Sequence, residues 1–485
     1  MNDSVKEKTP RLPHVWEAVL SFSVLVAVMA VGIAVFELDA HIPMLIGAAF
    51  AACMAMRLGY KWTHVEKAMF DGIYQALLAV IILFVIGVLI GVWMTSGVVP
   101  SMIYYGLHIL SPQTFLVSTL LICSVTSIAT GTSWGTAGTI GVALMGVAIG
   151  LGINPGLAAG AVISGAYFGD KLSPLSDTTN LAAAMAGTDL FTHIKFMLKS
   201  TIPVYIVVII IYVVMGLNAS KGEASLSEVE TIQNGIAQTF TISPFLLIPP
   251  IVVIALVAMK IPAIPGIFAG VVLGGIFGAI FQGNSLGDLM AAAYGGFESK
   301  TGIESIDKLL SNGGLANMMY SISLTILAMM FGGIMEKTRQ LEVIVKAIMG
   351  GLKSITAFVA GTSLTALLSN ITMPEQYISI VVPGRMYAPE YKRRGLHPKM
   401  CSNAVDSTGT VTSPLIPWNT CGVYMTTVLG VATIEYLPYA YFNLLGPIAV
   451  VIMTAMGLLT VTREQEPATI LDIKAGEETK PSETA

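Results

Sequence analysis

The chain has 485 residues, 54% of them hydrophobic and 11% charged, with a mean hydropathy of +0.77 and a net charge of −4. Soluble globular proteins carry about 25% charged residues, so this composition excludes a soluble domain, indicates a polytopic membrane protein, and gives no reason to expect a nucleic-acid partner. The four cysteines (Cys53, Cys123, Cys401, Cys421) sit in or beside apolar runs without a C-x-x-C pair, which favours small buried hydrophobes over disulfide or metal roles.

A helix needs roughly 20 apolar residues to cross the hydrocarbon. The first stretch, 1–14, carries Lys6, Lys8 and Arg11 and reads as cytoplasmic. The run 15–36 is too long for a signal h-region and is expected to remain as the first span. Spans follow at 42–58 and 72–95. Two apolar arms, 113–129 and 137–152, then flank the small polar tip "TGTSWGT". An interrupted element at about 155–190 and a span at 201–217 complete a first repeat, 15–217. A polar extracytoplasmic linker, 218–243, leads to a second repeat, 244–461, with spans at 244–259, 262–282 and 314–334. Its arms, 355–368 and a short 376–384, surround "SNITMPE"; an interrupted element at about 398–430 and a span at 438–460 end it. The tail 462–485 is polar and acidic and reads as disordered and cytoplasmic.

The expected fold is therefore all-α and polytopic: an inverted repeat of five transmembrane helices, each half with one re-entrant hairpin and one broken helix. "LSPLSDTTN" (172–180) precedes "TSPLIPWNT" (412–420) by 240 residues, and the same order of elements surrounds both. Five crossings per half invert the second relative to the first, as in many secondary transporters. With both termini inside, all but four of the 25 Lys and Arg, namely Lys171, Lys221, Lys300 and Lys308, fall on the cytoplasmic side, in keeping with the positive-inside rule. Counting each hairpin as a crossing would instead put Lys392, Arg393 and Arg394 outside.

A charge at the centre of a membrane helix costs about 2.5–3.5 kcal/mol on insertion scales. "GDKLSPLSDTTN" (169–180) nevertheless holds Asp170, Lys171 and Asp177, and the second half holds Asp406 and Glu375. Pro174 should break its helix, as should Pro414 and Pro417, and a break frees carbonyl oxygens. Ser173, Thr178 and Asn180 lie at the first break; Ser413, Asn419 and Thr420 lie at the second. Thr132 and Ser133, and Asn370 and Thr372, occupy the hairpin tips. Such an all-oxygen set suits a hard cation, by extension Na+. The bland alternative is that Lys171 merely neutralises an aspartate and that the tips are only tight bends. Two carboxylates against one lysine leave one negative charge, which either Na+ or H+ could cancel.

"GTSWG" (131–135) fits the G-x-S-x-G nucleophile elbow, but that motif needs a strand–turn–helix setting and a histidine partner, and all six histidines lie at segment ends or in loops. Zinc-protease and P-loop motifs are absent, so no enzyme is expected.

"GDKLSPLSDTTNLA" (169–182), with its preceding "GTSWGT", resembles the signature region of the NhaC family of sodium/proton antiporters, within the ion transporter superfamily. The similarity extends over about 15–461. It implies secondary transport in a bacterial inner membrane, with Na+ and H+ as transported ions, no cofactor, and room for a homodimer. Asp170, Ser173, Asp177, Thr178 and Asn180 are the positions matching the motif. The expectation is that Asp177 is shared by Na+ and H+, that Ser173, Thr178 and Asn180 complete the Na+ shell, and that Lys171 pairs with Asp170. Asp406 is a further candidate cation or proton ligand. Family members that exchange organic anions such as malate and lactate, or carry amino acids with Na+, keep a small carboxylate or amino acid as the alternative substrate.

Overall fold

The computed structural model describes residues 10–462, except 37, 220–225, 260, 301–306, 308–309 and 312. Residues 1–9, Lys221, Lys308, part of the 218–243 linker and nearly all of the 462–485 tail thus lie outside the described residues.

The described residues are mainly helical, with an isolated bridge from Leu396 to Thr462 and no named strand. Among them, eight helices are long and apolar enough to cross a membrane, or ten if each of two bent pairs counts as one span. α1 (Val15–Ala34), α2 (His41–Arg57) and α3 (Trp62–Thr95) open the chain. At about 1.5 Å per residue, the 34 residues of α3 exceed the hydrocarbon thickness, so its polar first turns project beyond it. α4 (Val98–Ile109) leads to the first hairpin: α5 (Pro112–Thr130), a short α6 (Ser133–Thr136), a π-turn over Ala137–Gly141, and α7 (Val142–Gly150).

α8 (Pro155–Leu172) starts on Pro155, with Asn154 accepting from the Leu157 amide at 3.1 Å. It breaks over 173–176, where Pro174 denies the backbone a donor. Ser176 then caps α9 (Asp177–Ala186), and Gly187 ends it in the left-handed region at φ 74°. The interrupted element thus stops four residues short of the expected 190. α10 (Leu190–Ala219) begins eleven residues before the expected span at 201 and is one continuous helix despite Pro203.

α11 (Leu226–Thr239), inside the expected polar linker, meets the Pro244–Ala258 segment, which includes α12 (Ile248–Ala258), at 96°. α13 (Ala263–Phe277), α14 (Leu286–Gly295), α15 (Leu315–Lys337) and α16 (Gln340–Gly350) follow. The second hairpin joins α17 (Ile355–Thr372) to α18 (Gln376–Arg393). The return arm is not short: it continues through Pro383 and Pro389 to Arg393. α19 (Pro398–Thr412) breaks over 413–419 before α20 (Thr420–Leu429), a short α21 (Thr433–Tyr436) and α22 (Tyr441–Ala455).

Each half packs its first hairpin arm on its broken helix, α5 on α8 and α17 on α19. The G-x-x-x-G pair Gly165/Gly169 serves the first of these contacts. A Cβ there would lie 2.5 Å from the Leu120 carbonyl oxygen and 2.4 Å from that of Ser124. Gly270 and Gly274 likewise admit Trp93, whose indole N–H donates to the Gly270 carbonyl at 2.9 Å.

Candidate functional site

The first hairpin tip presses on the first helix break. Gly131 turns the chain at φ 69°, and a Cβ there would come within 2.7 Å of the Leu175 backbone. Thr132 caps α6 by accepting from the Gly135 amide at 3.2 Å. That cap aims Ser133 at Asp170, whose Oδ2 accepts from the Ser133 amide at 3.2 Å and hydroxyl at 2.7 Å. Asp170 is only 3% exposed, and among the described residues its Oδ1 has no hydrogen-bond partner. This Ser133–Asp170 contact, inside a helix–turn–helix, accounts for "GTSWG" without a nucleophile elbow.

Asp177 opens α9, where the exposed amides of a helix N-terminus favour a negative charge. Its Oδ1 accepts from the Thr178 amide at 2.8 Å, and its Oδ2 accepts from the Tyr377 hydroxyl. Tyr377 belongs to the second hairpin. Glu375 at that tip caps α18, Oε2 accepting from the amides of Tyr377 at 2.6 Å and Ile378 at 3.1 Å. The two tips and the first break thus meet around one cavity of about 640 Å3. Asp170, Asp177 and Glu375 line it with Thr132, Ser133, Thr178 and Asn180, while α3 and the α12–α13 joint supply apolar walls. Among the described residues, no Lys, Arg or His lines it. Three carboxylates, with no fixed cation among the described lining residues and a partly apolar wall, attract a cation. Oxygen donors alone select a hard cation or a proton over a soft metal.

The remaining expected residues lie elsewhere. Ser173, at the end of α8, donates to the Ile128 carbonyl at 2.8 Å and accepts from the Leu175 amide at 3.2 Å. Asn370 on α17 donates to the Gly409 carbonyl at 2.7 Å, and Asn419 donates to the Asn370 carbonyl at 3.1 Å. Thr372 and Ser413 donate to carbonyls one turn back, Leu368 and Thr410, and the Thr420 amide donates to the Pro374 carbonyl at 2.9 Å. Asn370, Asn419 and Thr420 thus tie the second tip to the second break, and none of the six residues lines the cavity.

Lys171 does not pair with Asp170. Successive residues on a helix point about 100° apart. Asp170 therefore faces the tip, whereas Lys171 faces α19 and donates to the Ser407 hydroxyl. Asp406, also on α19, accepts from Thr410 and has His193 Nε2 at 3.5 Å. It does not line the cavity.

Sequence reasoning missed Tyr377, Trp134 and Gln376 in the cavity, and His193, Ser402 and Ser407 around Asp406. Tyr377 follows Glu375 by two residues, so its proximity to the tip was the available signal. His193 sits at a segment end, as expected of the histidines, yet is fully buried.

Residues 165–458 match the Na+/H+ antiporter family. The malate-2H+/Na+-lactate antiporter of Bacillus subtilis is 39% identical over 436 residues, 90% of this chain and 93% of that protein. The Na+/H+ antiporter NhaC of Alkalihalophilus pseudofirmus is 37% identical over 450 residues, 93% of this chain and 97% of that one. The arginine/ornithine antiporter ArcD of Halobacterium salinarum is 37% identical over 460 residues, 94% of each chain.

Proposed function

The chain belongs to the Na+/H+ antiporter family, with NhaC relatives over most of its length, and from that premise we propose that it exchanges Na+ for H+ by alternating access. Membership makes it a multi-pass membrane transporter. The observation that carries the ion assignment is the cavity: three carboxylates, no basic side chain among the described lining residues, and polar tips from both halves.

In this reading Asp177 and the unpartnered Oδ1 of Asp170 bind Na+, with Thr178 and Asn180 beside them. The Tyr377 hydroxyl holds Asp177 Oδ2 when no cation does. A proton and Na+ compete for the same negative charge. One pH unit is worth about 1.36 kcal/mol, so at one-to-one exchange it balances a tenfold Na+ gradient. The protein sits in a bacterial inner membrane with both termini cytoplasmic, its halves 15–217 and 244–461 inverted about the 218–243 linker. The α12–α13 joint is then cytoplasmic. Since Ile261, Pro262 and Pro265 form part of the wall, the cavity opens inward.

A second reading, a Na+- or H+-coupled carrier of a small carboxylate or amino acid, draws on the cavity volume, which exceeds the needs of one Na+. The malate/lactate and arginine/ornithine relatives point the same way. An amino acid would bring its own ammonium to the carboxylates; a dicarboxylate would need bound cations to be tolerated.

Asp177→Asn is expected to abolish Na+-dependent proton movement in proteoliposomes, followed with a trapped pH dye. Undiminished exchange would remove Asp177 from the mechanism.

A further inference from the structure

Away from the cavity, three buried titratable side chains meet between the halves. Lys171 on α8 is 2% exposed, and His193 on α10 and Asp406 on α19 are fully buried. Asp406 Oδ1 accepts from Thr410, but among the described residues Oδ2 has no hydrogen-bond partner, with His193 Nε2 at 3.5 Å. An ionised oxygen left unpaired in a dry site is costly, and one proton placed between the two atoms removes the penalty.

The hydrogen count around His193 allows a further proton, on Nδ1, to come and go. His193 Nδ1 lies 2.7 Å from the Ser402 hydroxyl, which also reaches the Lys399 carbonyl at 3.1 Å. A serine hydroxyl has one proton. If it donates to Nδ1, His193 is neutral with its proton on Nε2, facing Asp406. If it donates to the Lys399 carbonyl, Nδ1 must carry a proton itself, and with Nε2 protonated the ring is an imidazolium. Rotating one hydroxyl thus accommodates either state. The groups lie near helix ends: His193 is in the first turn of α10 and Ser402 in the second of α19.

The charges around the pair are few. Lys171 and His193 act on Asp406, and Asp406 and Lys171 act on His193. Of the other elements against α19, α9 carries Asp177, which faces the cavity, and α18 carries Glu375 at its cap, which does too. α17 and α22 contribute the amides of Asn370 and Asn443. Lys399, on α19 itself, lies over the Phe196 ring at 5.2 Å.

We propose that His193 and Asp406 form a second proton-binding site, separate from the carboxylate cavity where H+ and Na+ compete, so that proton movement also requires this pair. Uptake of one proton from water gives an imidazolium against the Asp406 carboxylate. Release returns neutral His193 and leaves Lys171, anchored through Ser407 to Asn403, to balance Asp406. The pair bridges the two halves, so its protonation acts where they must move against each other. This inference rests on the Na+/H+ reading above.

The test compares wild type, Asp406→Asn, His193→Gln and Asp177→Asn as full chains in proteoliposomes. Two fluxes are read: Na+-driven proton movement between about pH 6 and 8, bracketing the ordinary histidine pKa of about 6.5, and labelled-Na+/Na+ counterflow at equal pH on both sides. Asp406→Asn and His193→Gln should lose about tenfold or more in proton movement, with a flattened pH profile, while counterflow stays within about twofold of wild type. Asp177→Asn should lose both. Unchanged proton movement and pH profile in His193→Gln, or equal loss of both fluxes in it, overturns the proposal. Should Asp406→Asn aggregate on size exclusion, His193→Gln decides alone. A wild type that moves no protons with Na+ contradicts the antiport reading instead.

Discussion

Asp170 and Lys171 are neighbours in sequence and strangers in space. Asp170 turns to the hairpin tip, and Lys171 reaches Ser407, 236 positions away. The carboxylates of the cavity were legible because a charge in an apolar helix needs a reason. Their partners were not, because a side chain's direction depends on helix phase and on tertiary packing that residue spacing alone does not supply. His193 shows the limit well: one histidine at a helix start carries no pattern, and only the fold brings it to Asp406. Ser407→Ala strands the buried Lys171 ammonium, at about 1.5–3 kcal/mol for a lost bond to a charged group, and should lower the thermal unfolding midpoint in detergent. An unchanged midpoint would show that Lys171 finds another acceptor. Ser133→Ala leaves Asp170 Oδ2 with only the amide at 3.2 Å. Apparent Na+ affinity in exchange assays should fall by about tenfold, as expected for a misplaced ligand; an unaltered affinity would mean that the tip does not position Asp170.

The helix breaks, the small polar tips and the glycine seam were visible as proline, glycine and charge in apolar runs. Helix bounds were not. α3 starts at Trp62 and α10 at Leu190, in each case well before the apolar run begins, because a helix continues into water wherever packing and capping hold it. The second return arm runs to Arg393 through two prolines, which the apolar pattern alone cut short. The α5–α8 seam yields a direct check. Gly169→Val would push a branched side chain against the Ser124 carbonyl, 2.4 Å from the Cβ position. Overpacking of this kind costs about 1–3 kcal/mol, so the unfolding midpoint should drop. Gly350→Ala, where nothing lies within 4 Å of the added carbon, should leave it unaltered. Equal effects would show that α5 and α8 do not depend on this close approach.

The order of elements recurs across the whole molecule: a long helix, a short one, a hairpin, a broken helix and a closing helix, as α3 to α10 and again as α15 to α22. This order was legible in the sequence, since it depends on where apolar runs are interrupted. The asymmetry of the site is equally plain: the first break faces the cavity with Asp177, while the second is knitted into its own hairpin through Asn419 and Asn370. The inversion of the halves is our proposal, and cysteine accessibility tests it. In a background without the four native cysteines, Arg393→Cys should label only from the cytoplasm and Glu298→Cys only from outside, since both positions are exposed beyond the spans. Labelling of Arg393→Cys from outside would mean that the hairpins cross the bilayer.

The most direct test of Na+/H+ exchange at Asp177 is uptake of labelled Na+ into acid-loaded proteoliposomes, with no organic solute present, for wild type and Asp177→Asn. Wild-type vesicles should accumulate Na+ against its gradient as protons leave, and Asp177→Asn vesicles should not. Accumulation that requires an added carboxylate or amino acid, or that persists in Asp177→Asn, would contradict Na+/H+ exchange at Asp177.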